Sequence, residues 1–167
     1  GVTGVQTCAL PISSHGVAQS VVFSGSGTGT GQADRFWQST ARTLSSGGSE
    51  DLDVYDLGSL DTSGAGAGRD ALGQPWTVAE ICGMLVVNRS TSAGDLLVGG
   101  KNTTAAWSNW LNSNDAAKLL LKPGGIFMLA TTNDPSYPIV DADQHLLTMA
   151  ASGGAVTYDV YLLGRSA

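Results

Sequence analysis

Charged side chains are scarce in this sequence of 167 residues. Asp, Glu, Lys and Arg together make up 13% of the chain, about half of the ~25% that is typical of soluble globular proteins. A dense layer of lysines and glutamates normally keeps a free monomer soluble. Because this layer is missing, we expect other subunits to cover part of the surface.

Basic residues are fewer than acidic ones, 8 against 14, and the net charge is −6. The few Lys and Arg residues are spread along the chain, so no segment can neutralise a run of phosphates. Long apolar stretches are also missing, since the longest, residues 81–87, is far shorter than the ~20 residues of a membrane-spanning helix. We therefore predict neither a nucleic-acid partner nor a membrane partner.

The residues that usually carry chemistry are almost absent. Cys8 and Cys82 are the two cysteines, too few for a disulfide framework or a multi-cysteine zinc site, and Cys82 is expected to be a small buried hydrophobe. A Ser-His-Asp arrangement would depend on His145, and no GxSxG motif lies between a strand and a helix. We predict no catalytic residues, no bound metal and no cofactor.

Acidic residues alternate in two places, at Asp51 and Asp53 and again at Asp141 and Asp143, just before His145. Oxygen ligands on one face of a strand can hold Ca²⁺. Alternating acids more often form the solvated side of a strand. We favour the solvated side and leave a bound Ca²⁺ open.

The first residues of the chain are expected to differ in origin from the rest. Residues 2–12 read VTGVQTCALPI, which resembles the in-frame translation of a short-read sequencing adapter. We therefore expect residues 1–12 to be a leader that the source genome does not encode. A secretory signal is the alternative, but it would need a basic start and an uninterrupted apolar stretch.

The remaining chain divides into two parts. Residues 13–34 contain the run GSGTGTG, which is expected to be flexible, and we interpret this part as an N-terminal arm and linker. Residues 35–167 form the predicted folded domain.

Short β-prone runs in this domain are separated by clusters of Gly, Ser, Asn, Asp and Pro, a pattern typical of antiparallel sandwiches and barrels. We predict an all-β, jelly-roll-like antiparallel sandwich with a flexible N-terminal arm. Residues 76–88 are apolar at both alternating sets of positions, which predicts a central strand buried on both faces. Strands are predicted at residues 17–23, 36–44, 52–57, 76–88, 95–98, 118–122, 126–131, 145–151 and 156–163.

Two pairs of these strands are separated by only three turn residues. Pro123, Gly124 and Gly125 follow residues 118–122, and residues 152–154 read Ser-Gly-Gly. Both turns have the chemistry of tight reversals, so each pair of strands is predicted to form a hairpin.

Aromatic residues on polar segments are candidates for an interaction site. Trp107 and Trp110 lie in the polar loop of residues 101–115, and Trp37 and Tyr137 lie elsewhere in the domain. Such rings can pin the loop onto the sandwich or onto a neighbouring subunit, since large aromatics are common anchors of protein interfaces. A sugar-stacking platform of Trp107, Trp110 and Tyr137 is the alternative. We predict that all four contribute to an interface.

Four segments together resemble small structural proteins of tailed-phage virions, of the kind that decorates or cements the capsid. They read DLDVYDLGSL, ALGQPWTVAEICGMLVVNRSTSAGDLLVGG, LLLKPGGIFMLATTNDPSYPIV and HLLTMAASGGAVTYDVYLLGR, from residue 51 onward. The resemblance implies a non-enzymatic, β-rich virion component that binds the outer face of the shell, with the major capsid protein or another virion protein as partner. It also implies self-association, often as a homotrimer, and it carries over no functional residue by position.

Three functions from different classes follow. A capsid decoration protein located in the virion is the leading hypothesis. A glycan-binding module of a tail or surface structure is the first alternative, and a hydrolase is the second.

Overall fold

The computed structural model describes residues 20–57, 68–101, 103–141 and 143–166. The predicted leader, residues 1–12, lies outside the described residues, as do residues 13–19 of the predicted arm. Apart from one turn of 3₁₀ helix at Asn109–Leu111, the regular elements of this part are strands. They are β1 (Arg35–Leu44), β2 (Ser49–Asp53), β3 (Val78–Asn88), β4 (Asp95–Gly99), β5 (Lys118–Leu121), β6 (Ile126–Ala130), β7 (Tyr137–Pro138), β8 (Leu146–Ser152) and β9 (Val156–Ser166).

The strands form two antiparallel sheets that pack face to face. The first sheet has the order β1-β9-β3-β6, with the short β7 beside β3, and the second has the order β2-β8-β4-β5. The chain passes from one sheet to the other at every connection except β4 to β5 and β6 to β7. Apart from the short β7, eight strands lie in two sets of four, and with this connectivity they form a jelly roll, so the predicted all-β sandwich is confirmed.

Both predicted hairpins are wrong, although their strands are present. β5 pairs with β4 and β6 pairs with β3, so the Pro-Gly-Gly turn joins the two sheets. In the same way β8 lies in the second sheet and β9 in the first. Turn residues permit a reversal of direction, but the burial of the inner faces decides which strands pair.

The hydrophobic core lies between the two sheets. It includes Trp76, Met84, Tyr158 and Met149, each at most 2% exposed. As predicted, β3 is central and Cys82 is buried. Leu85 and Val87, both expected to be buried, are only half-buried, because the outer face of the first sheet is partly open.

Strand β2, which carries Asp51 and Asp53, ends earlier than predicted. β2 ends at Asp53, whereas the sequence pattern extended the strand to Leu57. The Asp53 carboxylate accepts a hydrogen bond from the Tyr55 amide, and the Asp53 carbonyl accepts one from the Leu57 amide. These local bonds turn the chain after Asp53, as expected of an Asp side chain that bonds its own backbone.

The glycine-rich segment, expected to be a flexible link, forms a turn against the domain. The Ser24 amide donates to the Gly31 carbonyl, and the Gly31 amide donates to the carbonyl of Thr132. Gly27 and Gly31 have φ values of 145° and 78°, which residues with a side chain rarely adopt. Residues 20–23, the described part of the predicted strand at 17–23, are not in a strand.

Candidate interaction surface

Part of the outer face of the first sheet is apolar. Apolar side chains occupy the outer-face positions of β6, of Leu85 and Val87 in β3, and of Tyr161 and Leu163 in β9. Elsewhere this face is polar, at Gln38 and Thr43 of β1 and at Thr157 and Asp159 of β9. Ile126 is 66% exposed and Met128 is 46% exposed. We call this surface the apolar face. Its residues are Phe36, Gly83, Leu85, Val87, Ile126, Met128, Ala130, Tyr161 and Leu163.

A groove of about 250 Å³ crosses the apolar face. Leu85, Met128, Tyr161 and Leu163 are among the residues that line it. Gly83 keeps its floor open, because a Cβ at this position would lie 3.2 Å from the Leu163 side chain. A second depression, about 220 Å³ in volume, continues beyond Phe36 and Leu163 toward Leu72.

The segment before the glycine-rich turn lies against this groove. Val21 and Phe23 line one side of it, and Phe23 is half-buried there. Val22, between them, is 77% exposed. Thus the chain partly covers its own apolar face.

One end of the apolar face is polar. Asp159 lies there, 3% exposed, with Oδ2 2.6 Å from Nη2 of Arg89, and Oδ1 accepts a hydrogen bond from the Ala41 amide. Burial raises the pKa of Asp159, but the bonds from Ala41 and Arg89 outweigh it and the net pKa is lowered. The carboxylate therefore supports the irregular turn at Ala41 in β1.

The structure separates the four aromatic residues that were predicted to form an interface. Trp107 is fully buried and its Nε1 donates to the Pro138 carbonyl, and Trp37 is 8% exposed within the core. Both rings are therefore packed within this chain, and the predicted interface role of the two residues stays a prediction. Trp110 and Tyr137 are partly exposed at the rim of the core, and for them an interface remains a prediction.

The proposed aromatic platform for sugars is accordingly incomplete. The Trp107 and Trp110 rings lie 6.1 Å apart at their centroids, and Trp110 packs in turn on Phe127 at 5.4 Å. The Trp110 Nε1 donates to the Trp107 carbonyl. These contacts pin the loop onto the sandwich. Because the Trp107 ring is fully buried, it has no face on which a sugar could stack.

The alternating acids of β2 are paired within the domain. Asp51 lies 2.6 Å from the Lys101 amino group and accepts a hydrogen bond from the Thr148 hydroxyl. Asp53 lies 2.9 Å from Nδ1 of His145, without the alignment of a hydrogen bond. Across residues 20–57, 68–101, 103–141 and 143–166, no group of three or more His, Cys, Asp and Glu side chains is arranged to hold a metal ion.

Cys82 and Asn88 are both buried in the domain. Burial raises the pKa of the Cys82 thiol to about 11, so the thiol stays protonated at neutral pH. Asn88 is fully buried, and its Nδ2 donates to the carbonyls of Gly94 and Leu121. This side chain holds the β3–β4 turn against β5.

Sequence reasoning did not identify the apolar face as the candidate site. The signal was present in β6 and β9, where residues 126–129 read IFML and residues 160–163 read VYLL. Such runs are apolar at both alternating positions, the same property that marked β3 as buried on both faces.

Comparison of the chain with models of known protein families and with curated proteins gives no match. In the part of the chain that the structure describes, no helix is long and apolar enough to cross a membrane.

Proposed function

We propose that this chain is a capsid decoration protein of a tailed phage, which binds the outer shell of the virion and stabilises it by assembly, without a catalytic step. The observation that carries the proposal is the apolar face. Exposed apolar patches commonly mark interaction sites, and a partner that covers this face would remove its apolar side chains from water.

The fold and the composition support this proposal. Jelly rolls are the architecture of many viral capsid domains, although lectins use them too, so the fold supports the proposal by analogy alone. Charged residues at 13% of the chain also suit a protein whose surface is covered in an assembly. The proposed partners are the major capsid protein and further copies of this chain, as a homotrimer.

Rebinding to stripped particles tests the proposal. Virions that carry this protein are stripped of it, and their temperature of DNA release is measured before and after the protein is added back. We expect rebinding to raise the release temperature. Confirmed rebinding with an unchanged temperature would reject the stabilising role, and binding to a glycan array instead would favour a receptor-binding module.

A matched pair of variants tests the role of the apolar face. Met128→Lys places a charge on this face, and Leu120→Lys places one on the outer face of the second sheet at nearly the same exposure, 46% against 47%. We expect Met128→Lys to abolish rebinding and Leu120→Lys to preserve it. Equal rebinding of the two variants would show that the apolar face is not the assembly surface.

A further inference from the structure

We infer that β6 pairs along its open edge with β6 of a second copy, antiparallel and with a two-fold axis at Met128, so that the first sheets of two subunits become one sheet. The inference concerns contact between two copies and does not rest on the capsid as a partner. Its two-fold symmetry also distinguishes it from the contacts of the proposed homotrimer.

Every second residue of β6 directs its backbone amide and carbonyl away from β3. The Thr131 amide donates to the Cys82 carbonyl just beyond the paired residues of the two strands. Because bonded and non-bonded pairs alternate in an antiparallel ladder, the β6 residues that bond to β3 are Phe127 and Leu129. The outward groups belong to Ile126, Met128 and Ala130.

The open edge of β6 lacks the features that protect edge strands. In the part of the chain that the structure describes, β3 is the one strand partner of β6. β6 reads IFMLA, without charge or proline, and its register with β3 has no shift. A regular, apolar edge is a template for pairing with another chain.

The edges of β1, β2 and β5 are protected. The register of β1 shifts between Ser39 and Arg42, and its Phe36 carbonyl accepts a hydrogen bond from the Ala71 amide. β2 reads SEDLD, and β5 has four residues, reads KLLL and is followed by a lysine and a proline. Register shifts, charges, proline and short strands are the usual protection against edge pairing. Hence β6 is the edge at which a second copy can add.

The sequence of β6 is complementary to itself about Met128. In the two-fold pair, Met128 lies opposite Met128 of the second copy, and Ile126 lies opposite Ala130. Each opposed pair exchanges two hydrogen bonds between outward amides and carbonyls. The large Ile126 meets the small Ala130, and no like charges meet. This self-complementarity favours a second copy over an unrelated strand, and it makes the two apolar faces continuous.

The two ends of the open edge fit the same register. Beyond Ala130, the Thr132 carbonyl already accepts a hydrogen bond from the Gly31 amide, so the pairing stops there. In the second copy, the chain turns at Gly125, just before Ile126. The paired length is therefore the length of β6.

Hydrogen exchange of the full chain in reducing buffer tests the pairing without any substitution. A contact along one strand edge is smaller than a standard interface of ~800 Å² per partner, so exchange is followed by NMR from roughly 50 µM to roughly 1 mM. We expect the amides of Ile126, Met128 and Ala130 to exchange at least about fivefold more slowly at the higher concentration, since the second copy then protects them. The Leu120 amide, on the open edge of β5, is the control and should not change.

Two variants at one position separate edge pairing from stacking of two apolar faces. Met128→Ala and Met128→Pro both shorten the side chain on the apolar face, but proline also removes the outward amide, which β3 does not use. We expect sedimentation to show that Met128→Ala keeps the dimer. Met128→Pro should weaken the dimer at least about tenfold, because the symmetry removes two hydrogen bonds at once.

Leu120→Pro is the matched control, since it places proline on the edge of β5 at nearly the same exposure as Met128, and it should keep the dimer. Far-UV circular dichroism checks that each variant is folded, and the exchange of the unsubstituted chain decides the outcome if a proline variant is not.

Amides of β6 that exchange at one rate over the whole concentration range would overturn the inference. So would equal weakening by Met128→Ala and Met128→Pro, which would indicate stacking of the apolar faces. Protection that appears only on rebinding to stripped particles would also overturn it and would assign the edge to a capsid protein. A trimer with unprotected β6 amides would support the proposed homotrimer and overturn the two-fold pairing.

Discussion

Arg165 and Glu80 form an ion pair between the two central strands of the first sheet, with Nη1 and Oε1 2.5 Å apart and the two side chains 1% and 10% exposed. Arg165 also donates to the carbonyls of Thr132 and Asn133, and Glu80 accepts a hydrogen bond from the Ser136 amide. Arg165 Nε also donates to the Gln32 carbonyl, so the pair joins β3, β9, the β6–β7 connection and the segment just before β1.

Replacing Arg165 with Met should destabilise the domain strongly. The Glu80 carboxylate would stay buried without its partner, which typically costs about 3–5 kcal/mol. Urea unfolding at pH 7 measures the loss. In the matched control Lys122→Met, the side chain is 72% exposed and its partner Asp95 is 23% exposed, so the carboxylate left behind stays hydrated and we expect a much smaller effect. Similar unfolding midpoints for the two variants would show that the buried pair is not an important support.

Trp107→Ala and Trp110→Ala should differ in their effect on the isolated protein. The ring of Trp107 is fully buried and bonded to the Pro138 carbonyl, so its removal should cost about 3–5 kcal/mol. Trp110 is partly exposed at the edge of the core, and its removal should cost less. Calorimetric melting of both variants checks the order. A Trp107→Ala protein as stable as the wild type would restore this ring as a candidate for a ligand contact.

The strands could be predicted because their signal is local. Short β-prone runs bounded by turn residues mark β1 and β4, and the two-sided apolar run marks β3. Pairing could not be predicted in the same way. Ser152-Gly153-Gly154 fits a hairpin and an inter-sheet connection equally well, and only the packing of β8 and β9 into different sheets decides between them.

The candidate site was harder to predict than the fold. Trp107 lies in a polar loop, which suggested exposure, but the loop folds back over the core and buries the ring. The apolar face arises from β3, β6 and β9 together, although they are far apart in sequence. Its existence therefore depends on the strand order, which no single segment reveals.

Gly94→Ala should be far more damaging than Gly124→Ala. Both glycines have positive φ, 101° and 76°, so each substitution strains the backbone by about 1–2 kcal/mol. A Cβ at Gly94 would also lie 2.2 Å from the Ala155 carbonyl oxygen, whereas nothing lies within 4 Å at Gly124. Thermal melting of the two variants measures the difference. Equal melting temperatures would mean that the β3–β4 turn can shift away from Ala155 without cost.

Stability should fall in acid because three carboxyl groups have a lowered pKa in the folded protein. Burial alone would raise the pKa of each group, but its bonding partners outweigh burial. The partners are Arg42 and Tyr158 for Glu50, Lys101 and Thr148 for Asp51, and Ala41 and Arg89 for Asp159. A lowered folded pKa gives stability that is complete above the ordinary values of 4.5 for Glu and 3.8 for Asp, and that is lost as the pH falls through the folded pKa. We expect the urea midpoint to be unaffected by these groups between pH 7 and pH 5 and to drop below about pH 4. Asp159→Asn should lower the urea midpoint at pH 7 and make its decrease in acid smaller. The control Asp143→Asn, at an exposed position, should change neither the midpoint nor its decrease in acid. A midpoint that stays constant down to pH 3 in the wild type would contradict this account.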